Sequence, residues 1–96
     1  MNIQPFAPAA TAKIAATNAS SNTVIDAGGQ NQVVRVVTTG GNAYIRFTSA
    51  AGDVATTADM PLLAGTVEMF SKGNATRAVL IADTTATVWI TTGEGV

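Results

Sequence analysis

The chain has 96 residues, a formal net charge of −1, and neither cysteine nor histidine. Without these two residue types it has no disulfide, no thiolate metal site and no histidine-activated nucleophile. Its charge gives no broad basic surface that would attract nucleic acid. Only 11% of the residues are charged, against about 25% in an average soluble domain, which favours a subunit whose surfaces contact other proteins.

The first ten residues, MNIQPFAPAA, predict an extended N-terminal arm. Pro5 and Pro8 lack backbone donors and flank Phe6, which favours an extended path. The arm is either a frayed terminus or a segment that inserts Phe6 into a neighbouring subunit. It lacks the basic start and apolar run of a secretory signal, and no apolar stretch is long enough to cross a membrane. We therefore expect synthesis in a cytoplasm without secretion or membrane insertion.

Residues 11–96 predict one all-β domain. Runs rich in Val, Ile and Thr alternate with Gly and Asn at short intervals, which is typical of strands joined by turns. About seven or eight strands in so short a chain predict a small antiparallel β-sandwich of jelly-roll-like type. Ala50–Gly65 is long for a loop and could hold a short helical turn or a crossing between sheets. The strand candidates are Thr11–Thr17, Asn22–Asp26, Gln32–Thr39, Asn42–Ser49, Thr66–Ser71, Ala75–Asp83 and Ala86–Thr92.

A Gly-Gly pair at 40–41 predicts a tight hairpin in the stretch RVVTTGGNAYIRF. In that register Arg35 lies opposite Arg46 on the outer face, beside Tyr44, and each arginine requires a carboxylate close by. The carboxylate comes from another subunit or from this chain, where the candidates are Glu68, Asp26 and Asp83. The apolar residues predicted to face the core are Val34, Val36, Ile45 and Phe47.

A second hairpin is predicted around Thr84-Thr85. Its outer face would carry Leu80 beside Trp89, the only tryptophan of the chain. Either a loop or the arm covers this tryptophan, or it contacts another protein. The residues predicted to face the core are Val79, Ile81, Val88 and Ile90.

No pattern in the sequence indicates catalysis, a cofactor or a metal. Ser71 and Lys72 are neighbours, so on a strand their side chains point to opposite faces and do not form a Ser–Lys pair. Asp53 and Asp59 share one loop, but its sequence DVATTAD lacks the dense oxygen ligands of a calcium site. We therefore predict a protein that is not an enzyme.

Three stretches give a family resemblance: NAYIRF at 42–47, ATTADMPLLAGTVEMF at 55–70 and VWITTGEGV at 88–96. Their order resembles a group of small virion structural proteins of tailed phages. That group shares an aromatic-x-Arg-Phe strand, an Ala-Thr loop leading to Met-Pro, and a final Thr-x-Gly-Glu-Gly. The resemblance spans roughly Val33 to Val96.

The resemblance implies a β-sandwich of the virion, most plausibly a capsid decoration (cement) protein. Its partners would be the major capsid protein and neighbouring copies of itself, in a homo-oligomer on the virion. A head–tail connector or tail protein is the first alternative, and a carbohydrate-binding module is the second. The residues predicted to form the protein interface are Phe6, Arg35, Tyr44, Arg46, Leu80 and Trp89.

Overall fold

A computed structural model describes residues 7–28 and 31–94. These residues form eight β-strands and no helix, in two four-stranded antiparallel sheets, so the predicted all-β sandwich is confirmed. In the first sheet the strand order is β1-β8-β3-β6, and in the second it is β2-β7-β4-β5. The strands are β1 (Ala7–Thr17), β2 (Ser21–Val24), β3 (Val33–Thr39), β4 (Ala43–Thr48), β5 (Met60–Leu62), β6 (Val67–Ser71), β7 (Arg77–Ala82) and β8 (Thr85–Glu94).

The strands pair as one long antiparallel hairpin that is rolled into two layers. β1 pairs with β8, β2 with β7, β3 with β6 and β4 with β5. Two further ladders, β3 with β8 and β4 with β7, complete the sheets. Eight strands arranged in this way form a jelly roll, in agreement with the jelly-roll-like order expected from the sequence.

The hairpin predicted at Gly40-Gly41 is wrong, because β3 and β4 belong to different sheets. The two glycines instead allow the chain to cross between the layers. Gly40 has a φ of 81°, a conformation that side-chain-bearing residues rarely adopt. A Cβ on Gly41 would lie 2.2 Å from the carbonyl oxygen of Thr85. Gly41 therefore permits the link between β3 and β4 to pack against the start of β8.

The second predicted hairpin is also wrong, since β7 and β8 lie in different sheets. β7 faces the opposite way from the prediction: Leu80 is 0% exposed and packs in the core between the sheets. Val79 is equally buried, but it lies on the outer face, opposite Asn22 and Arg46. Asn22, opposite Val79, donates hydrogen bonds to the carbonyl oxygens of Ala50 and Asp53, which hold the loop after β4 close to this part of the outer face.

The core lies between the two sheets and consists of aliphatic side chains. The predicted inner positions of β3, β4 and β8 are confirmed, except that Phe47 is half-buried at the edge of the core. Phe47 contacts Phe70 of the other sheet, with ring centroids 5.8 Å apart. The buried core residues are Ile14, Ala16, Ile25, Val34, Val36, Ala43, Ile45, Leu62, Ala78, Leu80, Ala82, Ala86, Val88 and Ile90.

Two other segments differ from the sequence-based boundaries. Residues 7–10 of the predicted arm form the start of β1 and pair with β8, with a register shift between Pro8 and Ala10. Phe6 and the residues before it lie outside the described residues. The segment Ala50–Gly65 contains the short strand β5 and then passes from the second sheet towards β6 in the first.

Candidate interaction surface

The outer face of the first sheet presents an aromatic ring, two cations and several aliphatic and threonine side chains. Side chains alternate across a strand, so every second residue of β1, β8, β3 and β6 points outward. The strand registers arrange these residues in two adjacent rows across the sheet. We call this surface the Trp89 face; its rows are Lys13, Trp89, Val37 and Val67, and Thr11, Thr91, Arg35 and Met69.

Trp89 lies in the middle of this face and is half-exposed. The ammonium group of Lys13 lies 5.6 Å from the centroid of the indole ring, within the range of a cation–π interaction. Thr11 and Thr91 share a hydrogen bond of 2.8 Å between their hydroxyl oxygens in the next row. The prediction that Trp89 lies on an outer face agrees with this geometry.

The charge on the Trp89 face is positive. Lys13 and Arg35 are exposed, and neither forms a salt bridge with a carboxylate of residues 7–28 or 31–94. The whole chain nevertheless has a net charge of −1. The face is therefore electrostatically distinct from the rest of the surface and complements a partner that carries carboxylates.

Exposed aliphatic side chains continue from the Trp89 face around the edge strand β6. Val67 is 51% exposed and Met69 is 39% exposed. Beyond them, Met60 and Leu63 are exposed at the edge of the second sheet. Met60, Leu63 and Val67 help to line an open groove of about 490 Å³ between β5 and β6, together with Glu68. These exposed apolar side chains are neighbours, unlike the single, scattered ones that are normal on a protein surface.

The two arginines predicted to face each other are on opposite sides of the sandwich. Arg35 belongs to the Trp89 face, whereas Arg46 lies on the outer face of the second sheet. Arg46 forms a salt bridge of 3.1 Å with Asp59, which comes from the loop before β5. The acidic partner of Arg46 is thus within the chain, but it is none of the three candidates named from the sequence.

Tyr44 shares the outer face of the second sheet with Arg46. Its hydroxyl donates a hydrogen bond of 3.2 Å to Asp83, and this bond raises the pKa of Tyr44. Leu80, which was predicted to lie beside Trp89, is fully buried in the other sheet. Of the five predicted interface residues within the described ranges, Arg35 and Trp89 lie on the outer face of the first sheet and Tyr44 and Arg46 on that of the second, so the predicted set does not form one surface.

Sequence reasoning missed the buried ion pair between Lys72 and Asp26. The Lys72 side chain is 0% exposed, and its ammonium group lies 2.8 Å from a carboxylate oxygen of Asp26 and 2.7 Å from the carbonyl oxygen of Ala75. The same carboxylate oxygen accepts a hydrogen bond from the backbone N–H of Asn31. The hydrogen bond from Lys72 lowers the pKa of Asp26. This pair fastens the loop after β2 to the loop after β6.

Lys72, Asp53 and Asp59 stabilise loops through hydrogen bonds. The ammonium group of Lys72 already has its acceptors, so it has a structural role. Asp53 accepts a hydrogen bond from the hydroxyl of Thr48, and Asp59 accepts one from the backbone N–H of Thr56. Within the described ranges, no three metal-ligating side chains are grouped together, and no helix could span a membrane.

Comparison with known proteins gives no relative for this chain. No protein-family model, no curated protein and no solved structure matches it.

Proposed function

We propose that this protein is a non-enzymatic structural protein of a phage virion, and that it decorates the capsid by binding the major capsid protein through its Trp89 face. The observation that carries the proposal is the combination of a half-exposed Trp89 with two cations on one outer face of a sheet. Tryptophan and arginine are the residues most enriched at the energetic centres of protein interfaces. The resemblance of residues 33–96 to virion proteins supplies the biological setting.

The composition also supports a role in a repeated assembly. A decoration protein needs only many modest contacts with its lattice, and these add up when several copies are bound together. The threonine and aliphatic residues around Trp89 are small enough to allow close packing against another flat surface. Lys13 and Arg35 would select a capsid surface that carries carboxylates, since cations on an interface favour partners of opposite charge.

Binding to empty capsids tests the proposal directly. The purified chain is mixed with capsids assembled from the major capsid protein of the genome that encodes it, and the bound fraction is measured by co-sedimentation. Trp89→Ala should weaken attachment by about thirtyfold, the loss typical of a central interface residue. Tyr44→Ala is the matched control, because Tyr44 is an aromatic residue on the outer face of the second sheet.

The two variants also decide which face binds. If Tyr44→Ala weakens attachment and Trp89→Ala does not, capsids bind the second sheet and the proposed face is wrong. Absence of any binding to capsids overturns the decoration role. In bound particles, hundreds of copies indicate decoration, whereas about six or twelve copies indicate a connector or neck protein.

A carbohydrate-binding module is the other candidate function, because Trp89 is a half-exposed aromatic ring on an outer face. Aromatic rings in sugar sites are accompanied by polar side chains that fix the orientation of the ligand. The residues across the strands from Trp89 are Lys13 and Val37, and neither row of the Trp89 face contains the Asn and Asp side chains expected beside the aromatic ring of such a module. A glycan screen that detects specific binding, lost in Trp89→Ala, would replace the decoration proposal.

A further inference from the structure

The four strands at the sheet edges differ in how they are protected from pairing with another chain. Unprotected edge strands recruit further strands, and proteins block them with proline, lysine, bulges or covering loops. β1 contains Pro8, a register shift and Lys13, and β5 has only three residues, of which Pro61 is one. β2 has only four residues, and the Asn22 side chain holds the loop after β4 beside it through two hydrogen bonds.

The remaining edge strand, β6, has none of these protective features. Its sequence is VEMFS, without proline, lysine or arginine, and its ladder with β3 has an unbroken register. Two of its outward side chains, Val67 and Met69, are among the most exposed large apolar residues described. β6 is therefore the edge at which a further strand can be added.

The backbone hydrogen bonds identify which groups of β6 are free. The N–H of Thr38 donates to the carbonyl oxygen of Thr66, and the N–H of Lys72 donates to that of Gln32. Since antiparallel ladders alternate, the even-numbered residues from 66 to 72 direct their backbone groups towards β3. Residues 67, 69 and 71 therefore direct theirs away from the sheet.

We propose that β6 pairs with β6 of a second copy of this chain, antiparallel and about a two-fold axis at Met69. In this register Val67 lies opposite Ser71 of the second copy, and Met69 lies opposite its own equivalent. All three free residues of each strand then form hydrogen-bonded pairs. The two first sheets become one continuous sheet of eight strands.

Charge disfavours the neighbouring register in which the two-fold axis lies at Glu68. Shifting the pairing by two residues would place Glu68 directly opposite its equivalent, and like charges in that position destabilise a sheet. With Met69 on the axis, Glu68 instead lies opposite Phe70 of the second copy. Glu68 is the only charged residue of β6, so the strand has no other charge conflict with a copy of itself.

The proposed dimer has a consequence for attachment, and this step rests on the proposed function. A two-fold axis perpendicular to the joined sheet places both Trp89 faces on the same side. The dimer would then bind the capsid through two equivalent surfaces. Once the first surface is bound, binding of the second is effectively intramolecular, which strengthens attachment. The exposed groove residues Met60 and Leu63, next to β6, would lie near the junction between the copies.

Sedimentation of the free chain tests the pairing without any capsid. We expect a concentration-dependent equilibrium between monomer and dimer. Met69→Lys should raise the dimer dissociation constant by at least about tenfold, because it places two cations at the axis. Thr11→Lys is the matched control, since Thr11 occupies the same row and face on the opposite edge strand; it should leave the constant unchanged.

A single cysteine tests the register, because the natural chain contains none. In a hydrogen-bonded antiparallel pair the Cα atoms are about 5.5 Å apart, within the range that a disulfide spans. Met69→Cys should therefore form a cross-linked dimer in a glutathione redox buffer, and Thr11→Cys should not. The melting temperature of each variant establishes that it is folded.

Several results would overturn the inference. These are a chain that remains monomeric at all concentrations, a trimer, equal effects of the two lysine variants, or equal cross-linking of the two cysteine variants. If the chain is monomeric and Met69→Lys does not change its binding to capsids, the dimer is wrong and the proposed function stands. A dimer that binds no capsid would overturn the proposed function alone.

Discussion

The ion pair between Lys72 and Asp26 allows a sharp prediction of stability. Asp26→Asn keeps a carbonyl oxygen that can accept the N–H of Asn31, but it removes the charge that faces Lys72. Because the Lys72 side chain is 0% exposed, its ammonium group would remain buried with only carbonyl acceptors. Leaving one member of a buried pair without its partner costs about 3–5 kcal/mol. That is a large part of the 5–15 kcal/mol that stabilises a typical domain.

Urea denaturation followed by circular dichroism measures this loss. The double variant Asp26→Asn with Lys72→Met should recover part of the stability, since a buried pair can be replaced by uncharged groups at little cost. A loss below about 1 kcal/mol in the single variant, or strictly additive losses in the double variant, would contradict the structural reasoning.

The same ion pair makes the stability of the natural protein depend on pH in the acid range. The pKa of Asp26 is lower in the folded state than in the unfolded chain, with the hydrogen bond from Lys72 as the largest cause. The carboxylate therefore contributes stability above its unfolded pKa of about 4, and this contribution is lost as the pH falls through the folded pKa. Asp26→Asn should reduce the loss of stability between neutral pH and acid. If the pH dependence of the free energy of unfolding is unchanged in this variant, other carboxylates control the loss of stability in acid.

Three further changes test other parts of the fold. Leu80→Ala should lower the free energy of unfolding by about 2–5 kcal/mol, because the side chain is fully buried. A loss near zero would show that Leu80 lies on the surface. Gly41→Ala should lower the free energy of unfolding by about 1–3 kcal/mol, because its Cβ would clash with the carbonyl of Thr85 at the start of β8. Gly52 has open space around it, so Gly52→Ala should leave the free energy of unfolding nearly unchanged in the same denaturation assay. Asp83→Asn should lower the pKa of Tyr44, the only tyrosine, which phenolate absorbance reports directly; an unchanged titration would rule out their hydrogen bond in solution.

Alternating apolar residues predicted the inner faces of β3, β4 and β8, because each of these strands has one buried and one more exposed side. The same reasoning failed for β7. Its sequence RAVLIA has no alternation, since Leu80 faces the core while Val79 is buried on the outer face. A continuous apolar run does not show which side faces the core.

Strand partners were harder to predict than strand faces. A short link with Gly40-Gly41 is typical of a hairpin, but the same residues allow a crossing between two layers. A hairpin and a crossing between the sheets place the same residues on the inner faces, so the hydrophobic pattern does not distinguish these two connections. The ion pair of Asp26 with Lys72 and that of Arg46 with Asp59 depend on the final topology, which brings distant loops together. No spacing in the sequence indicates either pair.

The central position of β8 in the first sheet determines when this protein can fold. β8 follows the seven other described strands in the sequence, yet it lies between β1 and β3 and forms ladders with both. A nascent chain that has not yet exposed β8 leaves β1 without any neighbour in its sheet. Contacts between such distant segments form slowly, in milliseconds to seconds. We expect the first sheet to form only after β8 has been synthesised, so a low-charge chain must avoid aggregation until that strand is available.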